Sequence, residues 1–314
     1  MSNRIVLAYV SSGSDRLVDA DLVTHINYAF GTVGEEFNSV NVQHPERLRA
    51  IVALKKQNPN LKVMLSIGGW GSGGFSEMAR EESLRGGFVA HCGEIVKDFA
   101  IDGIDIDWEY PSCKWSGIKA CEDDIDNFTL LMRELRQMLG HKKLLTFATS
   151  ASGRFIDFEA VMPYCDFVNI MAYDMGRPPH HNAALFPSDK SRMSVQQAID
   201  AHLAKGISSD KLVLGMPLYG HGNKNEGVSD YVDNSQMYKF KDHIHLWDSV
   251  ACVPYVVNEQ GAMIVSYDSA KSLELKCAYA LDRGLRGVMY WEYSCDNEQL
   301  ELVKATYNAV FKKN

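Results

Sequence analysis

The sequence predicts an α/β fold, a (β/α)8 TIM barrel with a small β-rich insertion after its seventh strand. Three observations carry this. Eight short runs of β-branched and aromatic residues alternate with stretches of helical periodicity. The runs are apolar almost throughout, as in a parallel sheet covered by helices. The rhythm then breaks once, for about fifty residues between Gly220 and Ser269. Eight units suit a closed barrel better than an open doubly wound sheet. The whole chain, residues 1–314, is expected to form one barrel, with 221–267 as the inserted subdomain.

The strand runs, in order, are "RIVLAYV" (4–10), "HINYAFG" (25–31), "KVMLSIGG" (62–69), "GIDIDWEY" (103–110), "LLTFATSA" (144–151), "FVNIMAYD" (167–174), "KLVLGMPLYG" (211–220) and "GVMYWEY" (287–293). Between them, 45–57, 83–100, 122–139, 155–164, 194–205, 269–283 and 297–311 repeat apolar residues at the 3.6-residue period of a helix. In the insertion, "MYKFKDH", "CVPYVVNEQG" and "AMIVSYD" read as short strands around a turn at "NEQG".

Composition narrows the function. The chain is 46% hydrophobic and 23% charged, with net charge −8 and no Lys/Arg run. Nucleic acid and anionic membrane are therefore not expected partners. No apolar run approaches the length of a membrane span. The opening "MSNRIVLAYV" enters a strand directly, without the apolar region of a leader. The expectation is an exported protein whose leader has been removed, with a cytoplasmic one as the other reading. The seven cysteines are scattered and lack CxxC spacing, against a zinc site or a disulfide framework, although Cys113 and Cys121 bracket a loop short enough to pair. Adjacent His180 and His181 are read as part of a structural loop rather than a metal pair, and no cofactor site is read.

The informative stretch is "FAIDGIDIDWEYP" (99–111). In a strand, Asp105, Asp107 and Glu109 share one face and Ile104 and Ile106 the other. The apolar face needs the helices, so the three carboxylates point into the barrel. Buried carboxylates persist only when they share protons, which raises the pKa of at least one. At the C-terminal end of a barrel strand this is a catalytic arrangement. Glu109, nearest the top, is the expected proton donor. Asp102 has the opposite parity and is expected to bond nearby backbone.

Asp102, Asp105, Asp107 and Glu109 spell D-x-x-D-x-D-x-E, and this chain resembles the family 18 glycoside hydrolases, the chitinase family, in its bacterial-type catalytic domain. "SIGGWGSGGFS" (66–76), "MAYD" (171–174), "HNAAL" (181–185), "GMPLYG" (215–220) and "YWEYSCD" (290–296) resemble further family motifs in the same order.

The resemblance implies hydrolysis of β-1,4-linked N-acetylglucosamine polymers or oligomers by a monomer, without cofactor. It implies a retaining, substrate-assisted mechanism, in which the 2-acetamido oxygen of the substrate is the nucleophile. Glu109 is then acid and base, Asp107 steadies the acetamido group, and Asp105 shares a proton with Asp107. Tyr173 donates to the acetamido oxygen, Asp174 contacts the same subsite, and Trp291 floors it. Tyr9, Phe30, Trp70, Tyr110, Met171 and Tyr219 complete the substrate-binding candidates. Core filling competes for Tyr9, Phe30, Trp70, Tyr219 and Trp291, packing for Met171, and strand capping for Tyr173. The resemblance also implies cis peptide bonds at Ala29–Phe30, Glu109–Tyr110 and Trp291–Glu292. Two other functions stay open: an endo-β-N-acetylglucosaminidase acting on N-glycan cores, and a non-catalytic chitin-binding lectin.

Overall fold

In the computed structural model, which describes residues 4–312, eight parallel strands close into a barrel. They are β1 (Ile5–Ser11), β2 (His25–Val33), β3 (Lys62–Gly68), β4 (Gly103–Asp107), β5 (Leu144–Ser150), β6 (Phe167–Met171), β7 (Leu212–Pro217) and β8 (Gly287–Trp291). Each pairs with the next, and β1 pairs with β8 to close the ring. A three-residue strand, Val40–Val42, adds antiparallel to β2. Helices at Pro45–Ala53, Glu82–Asp98, Asp124–Leu139, Val195–Leu203, Ala270–Asp282 and Glu301–Phe311 cover the outside. A six-residue helix, Phe75–Arg80, was not expected. No helix among the described residues is long and apolar enough to cross a membrane.

Strand β4 shows why parity decides the fold. Ile104 and Ile106 are buried in the layer between barrel and helices. Trp108 continues that face and stacks on Phe75 at 5.3 Å, with Phe128 at its edge. Asp105 is equally buried, but among side chains from the opposite wall of the barrel. Asp102 accepts from the Val63 amide at 2.8 Å and pairs with Lys55, the structural role expected of it.

The double glycine after β3 brings two strand ends close. Gly68 has φ of +125°, and a Cβ there would lie 2.0 Å from the carbonyl oxygen of Asp107. Only glycine allows that conformation together with that approach. The Gly69 amide then donates to the same Asp107 carbonyl at 2.9 Å.

After β7 the chain leaves the barrel and builds a second, antiparallel sheet of five strands, in the order Tyr231–Asp233, Tyr219–Gly222, Met263–Ser266, Val253–Val257, Ile244–Asp248. Its small core is Val232, Val256, Ile264 and Val265. The strand expected at "MYKFKDH" is instead a 3-10 helix over Asn234–Phe240. The apolar residues alternate there, but Met237 and Phe240 are three apart. A three-residue turn puts both on one side, against the small core. The His181 ring bonds Asp248 at 3.0 Å and the Asn182 amide bonds Ser266 at 2.8 Å, tying this sheet to the loop after β6.

All seven cysteines are free thiols, so Cys113 and Cys121 are not paired. The Cys121 sulfur instead donates to Asp124 at 2.9 Å.

Candidate active site

The C-terminal ends of the strands surround a cleft of about 650 Å³. Its carboxylates are Asp107, Glu109 and Asp174. Tyr9, Phe30, Trp70, Tyr110, Met171, Tyr173 and Trp291 also line it. Of the expected site residues, only Asp105 and Tyr219 stand outside the lining.

Asp105 lies beneath the cleft and is fully buried. It accepts from Tyr9 (2.9 Å), Ser66 (2.8 Å), Thr146 (2.5 Å) and Asn169 (3.1 Å), donors on four different strands. Burial raises its pKa, and these four hydrogen bonds oppose the rise. Asp105 is occupied by its four donors, and Asp107 Oδ1 has no partner among the described residues.

Asp107 is pushed well above the carboxylate range by burial, then by the charges of Glu109 and Asp105. Glu109 is raised to about 7, chiefly by burial; the Tyr110 side chain hydrogen-bonds it and opposes the rise, and the charge of Asp174 adds to it. The pair therefore retains a proton near neutrality, as an acid catalyst must. Ser116 donates to the Glu109 carbonyl at 2.7 Å and holds the following loop against it.

Tyr173 is buried, and burial followed by the charges of Asp107, Glu109 and Asp174 raises its pKa far above that of a free phenol. It stays a neutral hydroxyl donor. Asp174, in the left-handed backbone region at φ of 55°, accepts on Oδ1 from the Tyr219 hydroxyl at 2.7 Å and faces His221 Nε2 at 2.6 Å. Tyr219 is thus a buried support behind Asp174 rather than a wall of the cleft. Its ring is covered by Tyr231, stacked at 4.3 Å, and Tyr231 is what the cleft meets.

Trp291 lines the cleft with an apolar ring. It stacks on Phe30 at 5.5 Å and leans on Tyr9 at 5.8 Å. The peptide bonds Ala29–Phe30, Glu109–Tyr110 and Trp291–Glu292 are cis, as expected. On another side an aromatic strip runs from Tyr110, stacked on Phe155 at 5.2 Å, to Trp115, edge-on to Phe155 at 5.3 Å.

Trp115, Ser150, Ser152, Arg154, Arg177, Met193 and Tyr231 also line the cleft and are not among the residues expected there. Most lie on loops, where no period fixes direction. The signal available was position: Ser150 ends β5 and "ASGR" directly follows it, and the loop after β4 carries a tryptophan.

Known proteins match this architecture along its length. Chitinase A1 of Niallia circulans is 32% identical over 295 residues, covering 78% of this chain and 42% of that protein. A solved chitinase, ChiW from Paenibacillus sp. str. FPU-7, superposes with a TM-score of 0.92 at 27% identity, over 99% of this chain and 43% of its own. A family 18 N-acetylglucosaminidase from Paenibacillus barengoltzii superposes with a TM-score of 0.88 at 32% identity, over 98% of this chain and 99% of its own. The chain thus spans less than half the length of the first two relatives. The model of the family described as Glycosyl hydrolases family 18 matches residues 4–296. With the acidic strand at its expected place in a closed barrel, this chain belongs to family 18 of the glycosyl hydrolases.

Proposed function

We propose that the cleft hydrolyses β-1,4-linked N-acetylglucosamine chains, with retention, through the substrate's own acetamido group. One observation carries this reading. Asp107 and Glu109 stand on one strand end, and the third carboxylate of the cleft, Asp174, is held by Tyr219 and His221. Among the described residues lining the cleft, no carboxylate is left free to attack from the far side of the sugar, so the nucleophile comes from the substrate.

In this scheme protonated Glu109 donates to the leaving oxygen while the acetamido oxygen closes on C1. The glycosidic C–O bond breaks and an oxazolinium ring forms. Asp107 accepts from the acetamido N–H and offsets the positive charge. Tyr173 donates its neutral hydroxyl to the acetamido group, and Trp291 supports the sugar face. Glu109, now ionised, takes a proton from water, which opens the ring at C1 and restores the β configuration.

A second reading concerns the product. The relative from Paenibacillus barengoltzii, named an N-acetylglucosaminidase, matches this chain over nearly the full length of both. That favours release of single sugars from short oligomers as the alternative to internal cleavage. The test is the product pattern from N-acetylchitopentaose. Dimers and trimers at early times support internal cleavage, and monomer from the start supports the alternative. A glycoprotein carrying N-glycans, assayed alongside, separates both from an endo-β-N-acetylglucosaminidase.

A further inference from the structure

Two arginines of the cleft have no part in the scheme above. Arg154 follows β5 and Arg177 follows β6, so they stand on neighbouring strands. Both line the cleft and both are exposed. No hydrogen bond or ion pair joins the Arg154 side chain to another described residue. Arg177 meets Asp230 Oδ1 through Nε at 3.0 Å, which leaves its two terminal nitrogens open among the described residues. Lys224 holds the other oxygen of Asp230 at 2.9 Å. Lys224 and then Arg177 keep that carboxyl below the usual range, at about 2, so it stays ionised. One carboxylate thus answers two cations, and this wall keeps positive charge in excess. The facing wall is different. Tyr9, Phe30 and Trp291, on β1, β2 and β8, bring rings and no charge. Of the cleft's own carboxylates, Asp174 is engaged by Tyr219 and His221 instead.

A neutral sugar chain needs rings to stack on and polar groups to bond, and it gives a guanidinium no counter-charge. Arginine is always charged, and its planar fork matches a carboxylate. We propose that Arg154 and Arg177 are specificity residues that select amino-sugar chains in which a sugar next to the reacting one carries a carboxylate. This rests on the reading under which the reacting sugar supplies its own acetamido group. That sugar is then N-acetylglucosamine itself, and Asp107 and Glu109 beside it would repel a further anion. The carboxylate therefore belongs to a neighbouring unit, on the side of β5 and β6. It can hang from O3 as a lactyl ether or stand at C1 of an oxidised chain end, and either gives the arginines the same anion.

The test compares kcat/KM for three probes. They are N-acetylchitotetraose, the same tetraose oxidised at its reducing end to the C1 acid, and a tetrasaccharide alternating N-acetylglucosamine with its 3-O-lactyl derivative. The quantity read is the ratio of each acid to the neutral tetraose, in the wild type, Arg154→Gln and Arg177→Gln, at low salt. The ratio for at least one acid should fall by about 1.5–5-fold in each variant, as for an exposed charge pair. Raising the salt to about 1 M should bring the wild-type ratio down toward that of the variants. Which acid responds tells the lactyl source from the oxidised chain end. Ratios unchanged in both variants overturn the proposal, even if every rate drops. Arg154 bonds no described residue, so Arg154→Gln breaks no contact of the fold. If Arg177→Gln does not fold, Arg154→Gln decides alone, with Arg154→Lys expected to restore part of the ratio. If the wild type cleaves none of the three probes, the reading of the reaction fails. The same ratios, taken from calorimetric Kd values, then decide this proposal separately, by the same outcomes.

Discussion

The Tyr9 hydroxyl on β1 donates to the Asp105 carboxylate on β4 at 2.9 Å, across the inside of the barrel. With Ser66, Thr146 and Asn169 it makes Asp105 a fully bonded, buried acceptor. Asp107 is left with an oxygen that bonds nothing among the described residues and with a strongly raised pKa. The two aspartates of one strand thus do different work. Asp105 anchors four strands to one another, and Asp107 is available to a ligand.

Tyr9→Phe removes one of the four donors and leaves the ring packing. A hydrogen bond to a charged group contributes about 1.5–3 kcal/mol. We expect a loss of that order in urea unfolding at pH 7. The Trp291 stack on Phe30 is expected to persist, visible as unchanged tryptophan fluorescence.

Glu109→Gln has opposite effects on rate and stability. The amide cannot donate a labile proton, so turnover should fall by about 10²–10⁴-fold with binding retained. Glu109 is raised from 4.5 to about 7 in the fold. The folded state therefore binds more protons than the unfolded one between those values, and stability falls as pH rises through them. Allowing for partial exposure, the cost above pH 7 is about 2 kcal/mol. The variant should be the more stable protein at pH 8 and nearly equal at pH 4, checked by thermal melts at both. In the wild type, kcat/KM should decline above about pH 7 as the acid ionises.

His202 predicts acid sensitivity of the fold. Its ring is fully buried and bonds the Ala198 carbonyl at 2.7 Å through Nδ1, and burial lowers its pKa to about 4. The unfolded chain takes up that proton near 6.5, so stability is lost as pH falls from 6.5 toward 4. The full shift corresponds to about 3 kcal/mol. His202→Gln should flatten the dependence of unfolding free energy on pH in that window.

How much of this was legible depended on where a residue sits. The eight strands were readable because near-continuous apolar runs recur eight times, with seven stretches of helical period among them. The carboxylates were readable because a period of two assigns each to a face. Tyr219 was misplaced for the complementary reason. The barrel strand ends at Pro217, and Tyr219 belongs to the second sheet. Its parity with the barrel therefore carries no information. His221 and Tyr231 lie in that same sheet, and Trp115 in a loop, so their approach to the cleft depends on packing between elements distant in sequence.

Trp115 offers a test of that loop. It is 67% exposed and lines the cleft beyond Tyr110 and Phe155. Trp115→Ala should raise KM for N-acetylchitohexaose by about 2–10-fold, the equivalent of roughly 0.5–1.5 kcal/mol for an aromatic contact. The chromogenic disaccharide should be nearly unaffected. Stability should change by less than about 0.5 kcal/mol, as for an exposed side chain.

The central claim is that the substrate supplies the nucleophile and C1 is displaced twice. Proton NMR of the first sugar released from N-acetylchitooligosaccharides, recorded before mutarotation, tests it most directly. A β-anomeric product is expected from acetylated chains, and no cleavage of fully deacetylated ones. An initial α-anomer would contradict it.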